Sequence, residues 1–592
     1  MTAPSRRRRR PTFGASQAIK RRGYPPKRLR RSPVVAHFSQ ANSNGIITRV
    51  LQGERGPCKR MFIDARELPC GSVLHTEICI IGGGVAGITL ALEFARRGIE
   101  TCVLEGGGLK FNAQSQALYR SENVGLDYDL HATRTRQLGG SSNCWGGWIR
   151  PFIDIDFERR DWVPNSGWPI DLTEVERYYH RANDLVKVND HSFEPQFWRE
   201  HLSPKQVQLL ELNDGSLETI VSKFSPPTRF GRDYRASLAA ARTTKVLLNA
   251  NVTEIATNDD ASVVTGVHVV SSAQKPFFVR AKRTILAAGG VENARLMLLS
   301  NKVASAGLGN EHDVVGRYFM EHPRIRQGQV MPSSTAAAFR FYDARHTYHN
   351  PELAVDGTSA SAHFGLAEHV QREEKLVQCR TYFRACRAGE NSDVTERFHE
   401  LYSAIQRRNY RDIKLRTFAT VARGSPNLMA SLIYRRLKLA AKSDHFQIES
   451  VVEPVPDRES RVTLSRQRDS LGLNRAELNW RVGDLEKRTH RRMLGLMKEQ
   501  LEGSGMARVD MEQEDEGQQH PIIGCNHHMG TTRMHVDPRL GVVDQNCKVH
   551  GMHNLHIAGS SVFPTCGNDM PTLTIVALTL RLADHVTMML GV

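Results

Sequence analysis

Ten cysteines are scattered through 592 residues with no Cys-x-x-Cys pair, no zinc-type spacing and no haem-attachment motif among them. That pattern excludes a disulfide-built scaffold, a zinc module and a self-contained haem or iron–sulfur relay. Cys79 and Cys102 fall inside apolar strand patterns, where a free thiol acts as a small hydrophobic residue. A reducing, cytoplasmic setting is the expectation. Long apolar runs are also missing: the best stretch, Ile78 to Ala95, is broken by three consecutive glycines and contains Glu93, so no membrane span is expected. Acidic residues are absent from the first 31 positions, which hold twelve Lys or Arg and therefore most of the formal net charge of +17. Only Phe13 and Tyr24 are interleaved with them, so nucleic acid is not an expected partner. No apolar segment follows to form a secretory or paired-arginine export signal. Residues 1–60 read as a basic, disordered arm, dispensable for cofactor binding, and Met61 offers an alternative start just before the first strand pattern. There is no internal repeat.

What remains is ordinary globular composition, 40% hydrophobic and 24% charged, on a chain too long for one core. Glu77-Ile-Cys-Ile-Ile81 reads as a buried strand, Gly82-Gly-Gly-Val-Ala-Gly87 as a turn, Ile88 to Arg97 as a helix, and Thr101-Cys-Val-Leu-Glu105 as the next strand. This is the βαβ opening of a doubly wound α/β sheet. Strand patterns return at Lys245–Ile255, Val263–Val270, Pro276–Arg280 and Arg283–Gly290, and once more at Asn554–Gly559 before a final helical run. The fold expected is a two-lobed α/β protein. A Rossmann-like dinucleotide domain is assembled from 61–165, 241–325 and 521–592. A substrate domain with an antiparallel sheet is built from 166–240 and 326–520.

In Gly82-x-Gly84-x-x-Gly87 the first glycine permits the tight turn, the second lets a pyrophosphate approach the backbone, and the third brings helix and strand together. The helix N-terminus adds free N–H groups and partial positive charge. Glu105 would accept from ribose hydroxyls, and an acid there disfavours a 2′-phosphate, hence NADP. The motif by itself does not choose between FAD and NAD.

The blocks Gly139-Gly-Ser-Ser-Asn-Cys-Trp-Gly-Gly147, Ser166-Gly-Trp-Pro169, Ala287-Ala-Gly-Gly-Val-Glu-Asn-Ala-Arg295 and His527 to Ala577 resemble the glucose–methanol–choline (GMC) flavin oxidoreductases. Gly316–Pro323 and Ser460–Ser465 fit the pyranose oxidase and bacterial sugar dehydrogenase branch. The resemblance spans 61–592. It implies FAD as cofactor, a sugar, glycoside or other alcohol as substrate, and oxygen or another acceptor to reoxidise the flavin. It places Gly82, Gly84, Gly87, Glu105 and Val252 around the adenosine half. Gly139, Gly140, Ser142, Asn143, Cys144 and Gly559 are expected along the cofactor, with Thr572 and Leu573 under the pyrimidine ring. Where some relatives carry a histidine bonded to the flavin, this chain has Cys144, read here as a buried free thiol with dissociable FAD.

The same resemblance puts the proton-accepting base at His527, with His528 beside it. Histidine suits the task because its pKa lies near neutrality. Met570 stands where the family has Asn or His, and a thioether accepts weakly and donates nothing. It should also be the N-cap of the last helix, a position it cannot cap. Asn568 and Asp569 lie beside it to turn inward in its stead, and His527 is expected to work with Asn568 or His528. The alternative is a substrate bulky and apolar near its reacting carbon, packed against Met570. His322 is held as a group on the substrate side. No metal site is expected. Three functions compete: alcohol oxidation, a flavoprotein whose oxidation is altered or lost through Met570, and a nucleic-acid or membrane adaptor led by the arm.

Overall fold

The computed structural model describes residues 61–212, 214–333, 336–386, 445–511 and 521–591. The basic arm, Cys58 and part of the expected 326–520 segment lie outside them.

Ile78–Ile81 is apolar at every position because it is covered on both faces and paired on both edges. It closes the strand Val73–Ile81, which lies between Thr101–Leu104 and Pro276–Leu286 in a parallel sheet. Thr244–Leu248 and Phe62–Asp64 extend that sheet on one side, and Leu555–Ile557 adds a parallel strand on the other. Pro276–Leu286 also changes partner along its length. Its first residues pair antiparallel with Val264–Ser271, itself paired with Ala250–Thr257. One long strand thus joins the small antiparallel addition to the nucleotide sheet, as the sequence pattern suggests.

The helix Val85–Arg96 buries Ala86, Ile88, Leu90, Ala91 and Phe94 against this sheet and against the last helix, Thr572–Leu590. That last helix is long and apolar enough to cross a membrane by composition, yet most of it is buried between Val85–Arg96 and Tyr179–Val186. Arg97 pins its far end through Asp584 and Thr587.

A second sheet is antiparallel throughout. Its order runs Ala507–Asp510, Pro323–Pro332, His445–Val452, Cys379–Cys386, Thr358–Leu366, Leu217–Phe224, Trp148–Ile149, with Ile523–Gly524 paired to Pro323–Arg324. It carries its own core of Trp198, Phe339, Tyr342, Phe364, Phe383 and Ile448. A three-stranded sheet of Arg461–Arg468, Asn474–Asn479 and Glu122–Asn123 completes the architecture. The packing moves one expected boundary. Trp168, Val175, Tyr179 and Val186, assigned by sequence to the substrate domain, belong to the core of the nucleotide sheet, because the apolar last helix needs a partner on its outer side. Trp148–Ile149 departs in the opposite direction and joins the second sheet.

A fully buried ion pair ties the segment after Asp154–Phe157 to the end of the His445–Val452 strand. Arg160 and Glu453 are both wholly enclosed, linked at 2.9 Å through Nη1 and by a second bond through Nη2, and Glu453 also accepts from the Gln378 N–H at 3.0 Å. Removing one partner leaves an uncompensated buried charge. Glu453→Ala should therefore lower the unfolding free energy by about 3–5 kcal/mol, read from urea unfolding of the flavin-loaded protein. A change below about 1 kcal/mol would show that the pair contributes nothing net.

Candidate active site

A cavity of about 580 Å³ begins at the C-terminal ends of the parallel strands and runs beneath the second sheet. This is where ligands sit in open α/β sheets. Its first end is the glycine turn, and the three glycines there differ in what they tolerate. A Cβ at Gly82 would stand 2.5 Å from the Ala287 carbonyl oxygen, and one at Gly87 would stand 1.9 Å from the Gly82 carbonyl oxygen. At Gly84 a Cβ would meet no protein atom within 4 Å. Gly82 and Gly87 are thus required by the fold, whereas the space above Gly84 is left for a ligand. Glu105, buried, accepts the N–H of Gly83 at 2.9 Å and of Gly107 at 2.6 Å. Each carboxylate oxygen keeps a second lone pair for a ribose hydroxyl. A turn shaped this way, a buried acid 22 residues on and a long cleft fit an adenine dinucleotide, and the chemistry at the other end fits a flavin.

Of the residues expected at the cofactor, Gly82, Gly84, Glu105, Gly140, Ser142, Cys144, Val252, Gly559 and Thr572 line the cavity. Gly87, Gly139, Asn143 and Leu573 do not. Gly87 packs helix on strand, and Gly139, at φ +96, lies against Gly231. The Asn143 amide donates to the carbonyls of Leu138 and Gly140, shaping the loop from behind. The Leu573 side chain is in the core. Cys144 corrects an expectation: it is exposed to the cavity rather than buried, with its thiol 3.3 Å from Ser141 O and Thr135 Oγ1.

The other end is organised by a bridge between Met320 and Met529, which lays the segment before the Pro323 strand beside the segment after Gly524. Glu321 clamps the second segment, accepting the N–H groups of Cys525 and His527, each at 2.8 Å, and the Tyr128 hydroxyl. Burial pushes its carboxyl up to about 7. Across the bridge, His527 Nδ1 lies 2.9 Å from His322 Nδ1, and His322 Nε2 lies 2.9 Å from the carbonyl oxygen of Gly567. Burial holds the His322 pKa down to about 4. Burial also takes His527 well below the ordinary histidine value, helped by the positive fields of Arg380 and Arg324.

Both rings are therefore neutral, and the tautomers follow. A carbonyl only accepts, so His322 carries its proton on Nε2 and presents a bare Nδ1. His527 must then donate from Nδ1, which leaves its Nε2 as a lone pair with no hydrogen bond among the described residues. His527 lines the cavity.

His528 also lines the cavity, but its ring is engaged by other residues. Its Nε2 meets the Tyr128 hydroxyl at 2.9 Å and Thr133 Oγ1 at 3.3 Å, and its ring stacks on Phe319. Ligand atoms of Glu321, Cys525 and His527 fall within 4.8 Å of one another. Glu321 is already committed to three donors, and burial drives the Cys525 thiol up to about 12, away from the thiolate a metal would require.

Met570 and its neighbours depart from expectation. Met570 lines the cavity, but the helix begins at Thr572 with Pro571 as its cap, so Met570 sits one residue outside the cap position. Asn568 and Asp569 do not turn inward. Asp569 is buried and paired to Arg150 at 2.6 Å, and Asn568 is buried away from the cavity lining. The strong attraction of Arg150 for a buried carboxylate outweighs any role at the substrate. The group that reaches Met570 comes from the second sheet: Arg380 Nη1 donates to its sulfur at 2.6 Å. Sequence reading missed Arg380, Arg324 and Tyr382. The signal available was a charged residue in the second place of an otherwise enclosed strand, Cys379-Arg-Thr-Tyr-Phe.

The model for FAD-dependent oxidoreductases matches residues 77–381, more than half of the chain, and that for the GMC oxidoreductase C-terminal domain matches 456–579. The fructose dehydrogenase large subunit of Gluconobacter japonicus is 22% identical over 87% of this chain and 98% of its own. A 2-methyl-1,2-propanediol dehydrogenase of Mycolicibacterium austroafricanum is 23% identical over 87% and 95%. Among solved structures, a formate oxidase is 17% identical, covers 88% of this chain and 99% of its own, and superposes with a TM-score of 0.50.

The glycine geometry separates folding from cofactor binding. Gly84→Val should give a folded protein that is largely flavin-free, with the far-ultraviolet spectrum of wild type and a flavin content below about a tenth. Gly87→Val should fail to fold at all. A Gly84→Val protein with full flavin occupancy would contradict the placement.

Proposed function

This chain belongs to the FAD-dependent oxidoreductases, within the GMC family, and we propose that it oxidises the CH–OH group of a sugar or other small alcohol with His527 as the base. The observation that carries this reading is the bare Nε2 of His527, fixed by the His322–Gly567 chain and turned to a cavity that also holds the glycine turn. FAD, when bound, supplies the two-electron oxidising capacity.

The residues of the chain do the rest. The substrate hydroxyl donates to Nε2 of His527, and its proton passes to that nitrogen as the C–H electron pair leaves the carbon. The fixed Nδ1–H bond keeps the ring from rotating, so the lone pair is presented without a search over orientations. His322 is a positioning residue: it stays neutral and decides which nitrogen of His527 is bare. The N-terminus of the last helix, with free N–H groups from Thr572 onward, directs partial positive charge at the cavity. The two sugar and diol dehydrogenases among the relatives support a hydroxyl-bearing substrate.

His527→Asn should retain FAD and slow anaerobic flavin reduction by about 10²–10⁴-fold, the range of a positioned general base. Unchanged reduction would remove His527 from the chemistry. The lowered His527 pKa also fixes a pH response. A base is competent above its pKa, so kcat/KM for flavin reduction should be level between about pH 6 and 8 and fall only at more acid pH. An acid limb centred near 6.5, the ordinary histidine value, would contradict the burial of this ring among cations.

A further inference from the structure

Arg380 is an unusual buried cation. Its side chain is 5% exposed, a guanidinium offers five N–H donors, and its one hydrogen bond among the described residues goes to the Met570 thioether. Its Nε is buried without a partner, and the nearest carboxylate oxygen, Asp569 Oδ1, is 3.7 Å from Nη1, beyond hydrogen-bond reach, while Oδ2 of the same carboxylate is paired with Arg150. Arg324, less enclosed at 27% exposure, also has an Nε without a partner; Glu449 stands 3.6 Å from its Nη1 and the Tyr382 hydroxyl is a further partner. Glu449 is shared as well with Arg326, Arg384 and the Tyr382 hydroxyl.

The sheet explains why these groups converge. Val451 is in register with Arg324 on one side and Arg380 on the other, so the three residues form one row across adjacent strands. The next row on that face is Arg326, Glu449 and Tyr382. Arg324, Val451, Arg380 and Tyr382 all line the cavity beside His527 and Met570. The roof over the reacting end therefore holds a buried, weakly partnered guanidinium, Arg380, and beside it Arg324, which shares its carboxylate Glu449 with two other arginines. The histidines facing them, His322, His363 and His527, are all held below the ordinary value by burial, so none adds charge at neutral pH. Burying cationic charge without a matching anion is costly.

We propose that the substrate is an alcohol bearing a carboxylate, and that Arg324 and Arg380 hold this carboxylate beside His527. Planar, forked guanidinium groups suit a carboxylate, and Met570 leaves Arg380 only weakly satisfied until that anion arrives. A carboxylate there would also offset the positive field that depresses His527, returning the base towards neutrality as the substrate binds. The inference rests on the reading of His527 for its oxidative half, but the anion site stands on the sheet geometry alone.

The test uses the oxidised, flavin-loaded protein. Titration with acetate should give a saturable change in the flavin spectrum, and acetamide, its neutral twin, should give none. Under anaerobic conditions glycerate should reduce the flavin with a kcat/KM at least tenfold above that of glycerol. Arg380→Gln should weaken acetate binding at least tenfold and erase the preference for glycerate. Arg324→Gln should do the same if Arg380→Gln does not fold.

Acetate that binds no better than acetamide would overturn the proposal, as would undiminished acetate affinity in both variants. A lowered flavin midpoint potential in Arg380→Gln with acetate affinity intact would also overturn it, by assigning the charge to the reduced cofactor. If acetate fails to bind while neutral polyols reduce the flavin, the anion site falls and the oxidation reading stands. If acetate binds through Arg380 while no alcohol reduces the flavin, the anion site stands and the oxidation reading falls.

Discussion

The proton on His322 Nε2 is committed to the Gly567 carbonyl, and the reacting end of the cavity is arranged around that commitment. It makes His322 Nδ1 an acceptor, His527 Nδ1 a donor and His527 Nε2 a lone pair. The geometry behind it is tightly constrained. Gly567 sits at φ +56, where a Cβ would stand 2.2 Å from Asp156 Oδ1, so only glycine places its carbonyl there without displacing that carboxyl. Asp156 in turn accepts from Gln378, which lies beside the Arg160–Glu453 pair. The buried ion pair at the edge of the antiparallel sheet thus also buttresses the loop that sets a histidine tautomer.

The two sheets contribute different things to one cavity. The parallel sheet supplies backbone: a glycine turn, an acid that organises it and a helix start. The antiparallel sheet supplies charged side chains from a single face. Burial selects the neutral form of each histidine, while arginine keeps its charge in every environment. Positive charge at this end is therefore carried by guanidinium groups and not by imidazoles, and the base remains available as a base.

Much of the nucleotide half was legible in the chain. The run Ile78–Ile81, the glycines at 82, 84 and 87, and Glu105 at a strand end are local patterns whose meaning depends on a few neighbours. His527 was legible through its motif. The function of His322 was not, because its partner is 205 residues away and depends on the Met320–Met529 bridge. Arg324 and Arg380 were hidden for a similar reason: their convergence is a matter of register against Val451, and no period in the sequence records it. Met570 lines the cavity as its place in the motif suggests, but its partner Arg380 comes from a distant strand. The inward turn expected of Asn568 and Asp569 failed because Arg150, from a distant segment, pairs with Asp569. The domain boundary near 166 failed because helix burial is set by what the last helix needs, which local polarity does not reveal.

The state of His527 can be observed directly. Nitrogen-15 spectra of the histidine-labelled holoprotein, with His527→Gln used to assign the resonances, report the protonation of each ring nitrogen. A protonated Nδ1 and a bare, pyridine-like Nε2 on His527, unchanged between pH 6 and 8, is the result that the His322–Gly567 chain requires. An imidazolium in that range, or a proton on Nε2 in place of Nδ1, would contradict the account at its centre.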